Sequence, residues 1–483
     1  MDRAHGSGTR GRDSVPEGAK FEGRFGRMFW NLPVFKPSDE RLLALADVME
    51  FSGSENVEND KLPAGFTYLG QFIDHDITHD ASSSLERVRD PEALVNFRTP
   101  RFDLDSLYGR GPVDSPFLYK RGTFELLSGS ARGISQETGK LEPLPNQDDL
   151  PRNVEDVALI GDPRNDENTF VSQLHLLFIK FHNKVITDTA SAGFEGDDLL
   201  KEAQRLVRWH YQRIVVQDYV RRIVSEDIFN SILTTDPRTG FSKIETLFYD
   251  LDREPYMPVE FSVAAFRFGH SQVRSTYKLN NVVDRPTFVP DSQLPSSEDD
   301  RRFVDFRGFR SLPEQWQPSW PHLFNFEDGT PPQMTNTIDT SLSLPLHKLP
   351  GEPEGKREKA SLALRNLNRS VELSLPTGEW VARAMGVEPI DSKHTRGRTP
   401  LWFYVLEEAH IQQGGERLGE VGGRIVAEVL LGLLAGDPLS YIRVQPNWEP
   451  ELKLDDGTAV DSMVNLIKYA DPANGVRHSG ISR

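Results

Sequence analysis

The sequence contains no cysteine among its 483 residues. Disulfide bonds, thiolate-bound metals and a cysteine nucleophile are therefore excluded as sources of stability or chemistry. The absence of cysteine fits a reducing compartment but does not require one.

Positively charged residues are fewer than negatively charged ones. The chain has 56 Lys and Arg residues against 73 Asp and Glu residues, which gives a formal net charge of −17. Nucleic acids and anionic membranes bind clustered positive charge, so this balance argues against both as partners. It leaves the substrate open, because a pocket can carry its own local sign.

Long apolar runs are missing as well. The most apolar stretch, IVAEVLLGLLAG at 425–436, contains Glu428 and is far shorter than the roughly 20 residues that span a bilayer. We interpret it as a buried core helix. The opening residues, MDRAHGSGTRGRDSVPEGAK, lack the apolar segment of a secretory signal. We therefore expect no membrane span and no signal peptide, which leaves the cytoplasm and non-classical secretion open.

What the sequence does contain is helical periodicity. Apolar residues recur with a period near 3.6 in four segments, at 170–186, 199–224, 399–412 and 422–436. In the last of these, Gly436 is the expected C-cap, because a proline follows two residues later.

Alternating strand patterns are scarce, so the predicted fold is mainly α. The length alone suggests about three domains, but few stretches resemble linkers between domains. We therefore predict a disordered, Gly- and Ser-rich tail at 1–20 and one large domain over 21–483. The polar stretches at 350–360 and 296–302 are predicted to be solvated loops.

The stretch GQFIDHDITHD at 70–80 contains two histidines, His75 and His79, four residues apart. This spacing is similar to the zinc motif H-E-x-x-H. However, Asp76 is one methylene shorter than the usual glutamate base, and no third ligand follows nearby. A zinc hydrolase is kept as an alternative.

A helix through this stretch would place Gln71, Asp74 and His75 on one face, with Asp76 pointing elsewhere. An amide, a carboxylate and an imidazole could then line one pocket. Asp76 would remain available to bind something behind it.

The next polar stretch is TPRFDLDSLYG at 99–109, where Thr99, Asp103 and Asp105 offer hard oxygen donors at short spacing. With backbone carbonyls between them, such donors suit Ca²⁺. An Asp-rich turn is the plain alternative. Two further stretches, GDPRNDEN at 161–168 and FRFGHSQ at 266–272, contain an arginine and a histidine that, taken singly, could be structural.

Five stretches in this order resemble the animal-type haem peroxidases of the peroxidase–cyclooxygenase superfamily. They are GQFIDHD, TPRFDLDSLYG, GDPRNDEN, FRFGH and RNLNRSVELSLPTG, the last at 365–378. The resemblance runs from about residue 60 to about 440, and within the family the chain looks like the cysteine-free bacterial branch. It implies a single large helical domain with haem buried between central helices.

The resemblance implies roles on the distal side of a haem. His75 would lie above the iron with Gln71 beside it, and Arg164 would be the distal arginine. Asp74 and Glu167 would form ester links to haem methyl groups.

Asn168 stands where some members of the family have a methionine that bonds a haem vinyl group. A third covalent link is therefore expected to be absent, and the oxidising power of the haem to be lower. Bromide, iodide, thiocyanate or phenols are then better expected donors than chloride.

On the proximal side, the resemblance implies His270 as the ligand to the haem iron and Asn366 as the acceptor of its other ring N–H. Arg267 and Arg369 match positions near the haem, Arg369 beside a propionate. The implied calcium ligands are the following: Asp76, Thr99, Arg101 through its carbonyl, Asp103 and Asp105.

The implied activity is reduction of hydrogen peroxide and oxidation of a small donor through a ferryl intermediate. His75 would act as general base and then acid, and Arg164 would stabilise charge on the leaving oxygen. A fatty-acid dioxygenase is one alternative, but cyclooxygenase-type members have a radical tyrosine three residues before the proximal histidine, where this chain has Arg267. A catalytically silent haem-binding protein is another, which retention of His75, Arg164 and His270 together disfavours.

Overall fold

The computed structural model describes residues 25–50, 57–78, 98–135, 140–251, 255–351 and 360–471. The predicted tail at 1–20, the second histidine of the zinc-like motif, His79, and most of the predicted loop at 350–360 lie outside these ranges. Within them, every helix is too short or too polar to cross a membrane.

Helices account for most of the regular structure. In chain order they are α1 Asp39–Val48, α2 Gly65–Ile77, α3 Asp105–Tyr108, α4 Gly111–Asp114, α5 Thr169–Ser191, α6 Gly196–Ile214, α7 Arg221–Ile223, α8 Glu226–Ile232, α9 Glu298–Arg301, α10 Leu362–Glu372, α11 Gly378–Ala384, α12 Leu401–Gln413, α13 Glu420–Gly436, α14 Tyr441–Val444 and α15 Met463–Ala470. Six 3₁₀ turns are Pro116–Leu118, Pro163–Asp166, Ala265–His270, Asp291–Gln293, Trp320–His322 and Leu344–His347, and two π turns are Val215–Val220 and Glu260–Ala264.

Strands are short and occur only in pairs among the described residues. They are β1 Phe25–Gly26, β2 Glu58–Pro63, β3 Gly129–Ile134, β4 Leu141–Asp149, β5 Leu233–Thr235, β6 Ser242–Ile244, β7 Met257–Pro258, β8 Thr276–Lys278, β9 Asp284–Pro286 and β10 Met334–Asn336. The pairs β2–β10, β3–β4, β5–β6 and β8–β9 are antiparallel, and β1–β7 is parallel. The predicted mainly α fold is confirmed.

The four helices predicted from periodicity are all present, with one interruption. The segment at 199–224 begins as α6 but changes to the π turn Val215–Val220 before α7. This turn brings Tyr219 against α2 at Gly70, where a Cβ atom would collide with the Tyr219 hydroxyl. Glycine at this position therefore permits a close approach of the two segments.

Two local predictions were wrong. Gly436 is the last residue of α13 and not its C-cap, because the amide of Asp437 still donates to the carbonyl of Leu433. Its lack of a side chain instead allows contact with Pro255. The stretch 296–302, predicted to be a loop, contains the short helix α9, because the side chain of Ser297 caps its N-terminus.

The long helices surround one continuous apolar core. Helix α2 packs against α5, where the rings of Phe72 and Phe178 stack with centroids 4.6 Å apart. On another side α2 contacts the 3₁₀ turn Ala265–His270, which in turn rests on α12 and α13. This packing brings the motifs at 70–80, 161–168 and 266–272 together.

Candidate functional site

Helix α2 divides the polar residues of its last turns between two sides. His75 and Asp76 are both buried, at 5% and 0% exposure, whereas Asp74 is only partly covered. The hydroxyl of Thr78 donates to Oδ1 of Asp74 over 3.0 Å. The sequence predicted that Asp76 points away from His75. The structure agrees, because His75 contacts Asn165 whereas Asp76 lies beside Asp103 and Asp105.

The partners of His75 come from the turn Pro163–Asp166. Its Nδ1 lies 2.8 Å from Oδ1 of Asn165, and Nδ2 of Asn165 lies 2.9 Å from Nδ1 of His175 on α5. With the Asn165 amide in this orientation, its oxygen accepts from Nδ1 of His75, and the lone pair of Nε2 is left to accept a proton. Sequence reasoning missed both Asn165 and His175; the only available signal was that Asn165 follows Arg164 directly.

Arg164 holds the end of α2. Its Nη2 donates to the carbonyls of His75 and Thr78 over 3.1 and 2.6 Å, and its Nε and Nη2 donate to Asp162. A cation at the C-terminus of a helix is favoured, because the last carbonyls there lack intrahelical partners. Arg164 thus fixes the backbone that carries His75.

Glu167, Gln71 and Asn168 form a chain of hydrogen bonds beside His75. Oε1 of Glu167 lies 3.8 Å from Nε2 of His75 and accepts from Nε2 of Gln71. Oε1 of Gln71 accepts from Nδ2 of Asn168 over 3.0 Å. The Gln71 amide is therefore oriented from both ends.

Burial favours the neutral forms of His75 and Glu167. Burial and then the charge of Arg164 lower the pKa of His75 to about 4, against the opposite influence of Asp74. Burial raises the pKa of Glu167 to about 7, although Arg164 opposes the change. At neutral pH His75 is therefore an uncharged imidazole that can accept a proton.

Behind His75, the carboxylates of Asp76, Asp103 and Asp105 converge. Their oxygens lie within 4.8 Å of one another, and all three residues are buried. The donors beside Asp76 are the backbone amide of Leu104 and the hydroxyl of Tyr211, and neither reaches its oxygens with ordinary hydrogen-bond geometry. Burial, with the charges of Asp103 and Asp105, raises the pKa of Asp76 well above its ordinary value. Such a buried set of hard donors fits a divalent cation.

Two other predicted calcium ligands lie in the same loop. The hydroxyl of Thr99 donates to Oδ2 of Asp103 over 2.7 Å. Arg101 is buried at 2% exposure and its side chain pairs with Asp437 over 3.5 Å. These contacts keep the loop in place around the carboxylates.

An arginine that sequence reasoning missed connects the carboxylate cluster to Arg164. Nη1 of Arg98 donates to Oδ1 of Asp105 over 2.8 Å, and its Nε and Nη2 donate to Oδ2 of Asp162 over 3.0 and 2.5 Å. Asp162 also holds Arg164. Burial raises the pKa of Asp162, but the hydrogen bonds and charge of Arg164, then the charge of Arg98, hold it well below its usual range.

The second histidine, His270, ends the turn Ala265–His270. Nδ2 of Asn366, on α10, lies 2.8 Å from Nδ1 of His270, and a half-turn of the amide would place its oxygen there. Burial lowers the pKa of His270 to about 3, with Arg267 acting in the same direction. His270 is therefore neutral, and Nε2 has no hydrogen-bond partner among the described residues.

Arg267 and Arg369, the two arginines predicted to lie on the same side of the haem as His270, contact other groups of the chain. Nε of Arg267 donates to the carbonyl of Ser262 over 2.9 Å. Nη1 of Arg369 lies 3.4 Å from Oε2 of Glu372 on the same helix. Trp402 approaches the His270 ring edge-on at 6.4 Å.

The donor set fits a haem group. Two neutral imidazoles on packed elements each have an amide beside Nδ1, and neither Nε2 makes a hydrogen bond within the described ranges. Imidazole Nε2 is the usual protein ligand to haem iron. Asp74, which precedes His75 on α2, and Glu167, whose Oε1 is 3.8 Å from Nε2 of His75, add carboxyl groups beside the first of these histidines.

Comparison with protein families gives one matching model. Residues 82–302 match the family described as animal haem peroxidase. The matched segment includes Arg164, Glu167 and His270 but begins after His75 and ends before Asn366.

Three curated relatives illustrate the similarity. Thyroid peroxidase of Mus musculus is 27% identical over 237 residues, which are 46% of this chain and 24% of the relative. Human thyroid peroxidase is 31% identical over 117 residues, 24% of this chain and 12% of the relative. Peroxidase mlt-7 of Caenorhabditis elegans is 21% identical over 235 residues, 47% of this chain and 28% of the relative. The matches span between 12% and 28% of the length of these relatives.

Solved structures match over much more of the chain. Peroxidase A from Dictyostelium discoideum superposes with a TM-score of 0.64 at 17% identity, covering 99% of both chains. A fatty acid alpha-dioxygenase of Oryza sativa superposes with a TM-score of 0.60 at 15% identity, covering 91% of this chain and 79% of that one. At these identities the likeness establishes the fold.

Proposed function

We propose that this chain, whose residues 82–302 match the animal haem peroxidase family, belongs to the peroxidase–cyclooxygenase superfamily, binds haem and is a peroxidase. It would reduce hydrogen peroxide and oxidise a small donor. The observation that carries this proposal is the pair of neutral histidines, His75 and His270, each held through Nδ1 by an amide side chain. We also infer the bacterial branch, from motif order and the lack of cysteine.

In this proposal His270 ligates the iron through Nε2, and Asn366 accepts its Nδ1–H and fixes the ring. Arg267 and Arg369 lie near the haem, with Arg369 beside a propionate. The bound haem would supply the redox chemistry, and the protein orients the reactants and moves protons.

His75 takes the proton of the incoming peroxide at Nε2 and returns it to the departing oxygen. Its neutral state at working pH is supported by burial and by the nearby charge of Arg164. Arg164 stabilises negative charge on the departing oxygen, and Gln71 lines the same side.

Ester links to the haem through Asp74 and Glu167 belong to this proposal. In support, Gln71 hydrogen-bonds to Oε1 of Glu167 and Thr78 to Oδ1 of Asp74, which would leave the second oxygen of each carboxyl group for an ester bond. Asn168 cannot form the link that a methionine forms, so the expected donors are bromide, iodide, thiocyanate or phenols.

We further propose that Ca²⁺ occupies the cluster of Asp76, Asp103 and Asp105, with Thr99 and the carbonyl of Arg101 completing the shell. The two charges of Ca²⁺, together with Arg98 beside Asp105, would balance the three buried carboxylates. Because Asp76 follows His75 directly, the ion would also hold the catalytic imidazole in place.

A fatty-acid dioxygenase is the second candidate, favoured by the fold match to the Oryza sativa enzyme. Arg267 occupies the position where a radical tyrosine would be expected, which favours the peroxidase. A silent haem-binding protein is the third candidate.

The test is the absorption spectrum of protein purified from haem-supplemented cells. We expect a Soret band that shifts with cyanide, oxidation of iodide or thiocyanate by peroxide, and no oxygen uptake with palmitate. His270→Ala should lose the Soret band, and His394→Ala, at an exposed histidine, should keep it. A folded wild-type protein without a Soret band would refute haem binding; a cyanide-responsive band without turnover would indicate the silent protein.

A further inference from the structure

The turn Pro163–Asp166 places an amide between two buried imidazoles. We propose that Asn165, backed by His175, is a positioning residue that fixes the tautomer and ring plane of His75. This inference rests on the proposed function, because the tautomer matters where His75 accepts a proton at Nε2.

The three side chains form one continuous hydrogen-bonded chain. Oδ1 of Asn165 is 2.8 Å from Nδ1 of His75, and Nδ2 of Asn165 is 2.9 Å from Nδ1 of His175. In this orientation the amide accepts from His75 and donates to His175. His75 then carries its proton on Nδ1, and Nε2 is left as a base.

The reversed amide would have the opposite effect. With its NH₂ group toward His75, Nδ1 would become the acceptor and Nε2 would carry the proton. Such an imidazole could not accept a proton at Nε2. The orientation of one buried amide therefore decides whether His75 is competent.

The backbone that carries Asn165 is held in place on both sides. Asn165 is completely buried, and its backbone amide donates to the carbonyl of Asp162 over 3.1 Å. The next residue, Asp166, is gripped by both Nη atoms of Arg152 over 2.6 and 2.7 Å. The turn is thus anchored on both sides of the amide.

His175 acts as the inner end of this chain and not as a proton exit. It is buried at 1% exposure on α5, its ring meets Phe72 edge-on at 6.1 Å, and burial lowers its pKa to about 3. At neutral pH His175 therefore stays uncharged and does not take up a proton, and its Nδ1 can accept the hydrogen bond from Nδ2 of Asn165. Its role is to keep the Asn165 amide in one orientation.

The test combines two measurements on three variants. Asn165→Leu removes both hydrogen bonds at similar volume, Asn165→Asp keeps an oxygen toward His75, and His175→Gln keeps an acceptor toward Asn165. The matched control is Asn183→Leu. Asn183 lies on α5, as His175 does, and it also loses two hydrogen bonds in this variant, both to the backbone of Leu126.

The first measurement is the rate at which the haem-loaded ferric protein binds cyanide, which must lose its proton on binding. General-base assistance typically contributes on the order of 10²–10⁴-fold, so we expect Asn165→Leu to slow cyanide association at least about 10-fold with an unchanged Soret band. Asn165→Asp and His175→Gln should recover most of the rate, and Asn183→Leu should retain all of it.

The second measurement is the ¹⁵N spectrum of the histidine side chains in the haem-free protein. We expect His75 to be protonated at Nδ1 in the wild type and to become a mixture of tautomers in Asn165→Leu. This result does not depend on haem, so it separates failure of the inference from failure of the proposed peroxidase. Wild-type cyanide association and an unchanged His75 tautomer in Asn165→Leu would overturn the inference; if that variant does not fold, His175→Phe replaces it with the same criteria.

Discussion

Asp162, which the sequence analysis did not single out, pairs with two arginines of the candidate site, Arg98 and Arg164. Its two oxygens accept from Arg98 and Arg164, and Arg98 also reaches Asp105 in the carboxylate cluster. One buried carboxylate therefore joins the proposed cation site to the arginine that holds the end of α2. Charged pairs that are buried in this way are expensive to break, because the remaining charge stays out of water.

The replacement Asp162→Asn should strongly destabilise the protein. It removes one of the two buried countercharges of Arg98, whose side chain is 4% exposed, and also the partner of Arg164. Breaking a buried pair typically costs about 3–5 kcal/mol. We expect a loss of this order in the free energy of unfolding, measured by urea denaturation.

The matched control is Glu245→Gln, which breaks the exposed pair with Lys243. Exposed pairs are worth about 0–1 kcal/mol, so this variant should unfold close to the wild type. Equal, small effects in both variants would contradict the view that Asp162 is a structural centre of the site.

At the scale of elements, the beginning of α5 links helix formation to the site. Oδ1 of Asn168 caps the helix by accepting from the amide of Val171, while its Nδ2 donates to Gln71. The same side chain therefore starts a helix and orients a residue of the candidate pocket.

These two roles of Asn168 can be separated. Asn168→Ser should keep the cap but lose the contact with Gln71, and Asn168→Ala should lose both. Loss of a helix cap costs about 1 kcal/mol. The melting temperature of Asn168→Ala should therefore be lower than that of Asn168→Ser. Both variants should alter cyanide affinity of the haem-loaded protein alike; equal stability of Ala and Ser would contradict the capping role.

The junction of α12 and α13 gives a prediction for pH. Glu408 on α12 is buried and accepts from the amides of Val421 and Gly422 at the start of α13. Burial raises the pKa of Glu408 to about 7. Between the unfolded value near 4.5 and about 7, the folded state binds the extra proton, so stability falls as pH rises through this window and is constant above it.

Glu408→Gln removes this titration. Between pH 5 and 7.5, the stability of the variant relative to the wild type should rise, by up to about 3 kcal/mol from a shift of 1.36 kcal/mol per pKa unit. Chemical denaturation at several pH values measures the difference. A difference that is constant with pH would contradict the raised pKa.

At the scale of the whole molecule, the carboxylate cluster connects parts of the chain that are far apart in sequence. Asp76 belongs to α2 and Asp105 to α3, while Arg208 of α6 donates to the carbonyl of Asp103 over 2.7 Å. A cation in the cluster would therefore stabilise the packing of three helices together.

Removal of the metal should lower the melting temperature of the whole protein. A ligand at 100 times its Kd stabilises the folded state by about 2.7 kcal/mol, so a calcium chelator should cause a clear decrease that added Ca²⁺ reverses. Asp103→Asn should lose this response, and Asp456→Asn, at an exposed turn, should keep it. A wild-type protein whose melting ignores both chelator and Ca²⁺ would refute the cation site.

The sequence by itself determined the mainly α fold, the positions of the long helices and the two-sided character of α2. These features depend on local periodicity, since residues 100° apart on a helix face different directions whatever surrounds them. The order of the motifs was also enough to identify the family that residues 82–302 match.

Tertiary structure alone decided the partners. His75 meets Asn165 across 90 residues, Gln71 meets Asn168 across 97 and Arg98 meets Asp162 across 64. The local errors have the same origin, because Gly436 is explained by Pro255 and not by the end of its own helix. Periodicity specifies which face of a helix is buried. Only the packing of distant segments specifies which polar group forms a hydrogen bond with a side chain on that face.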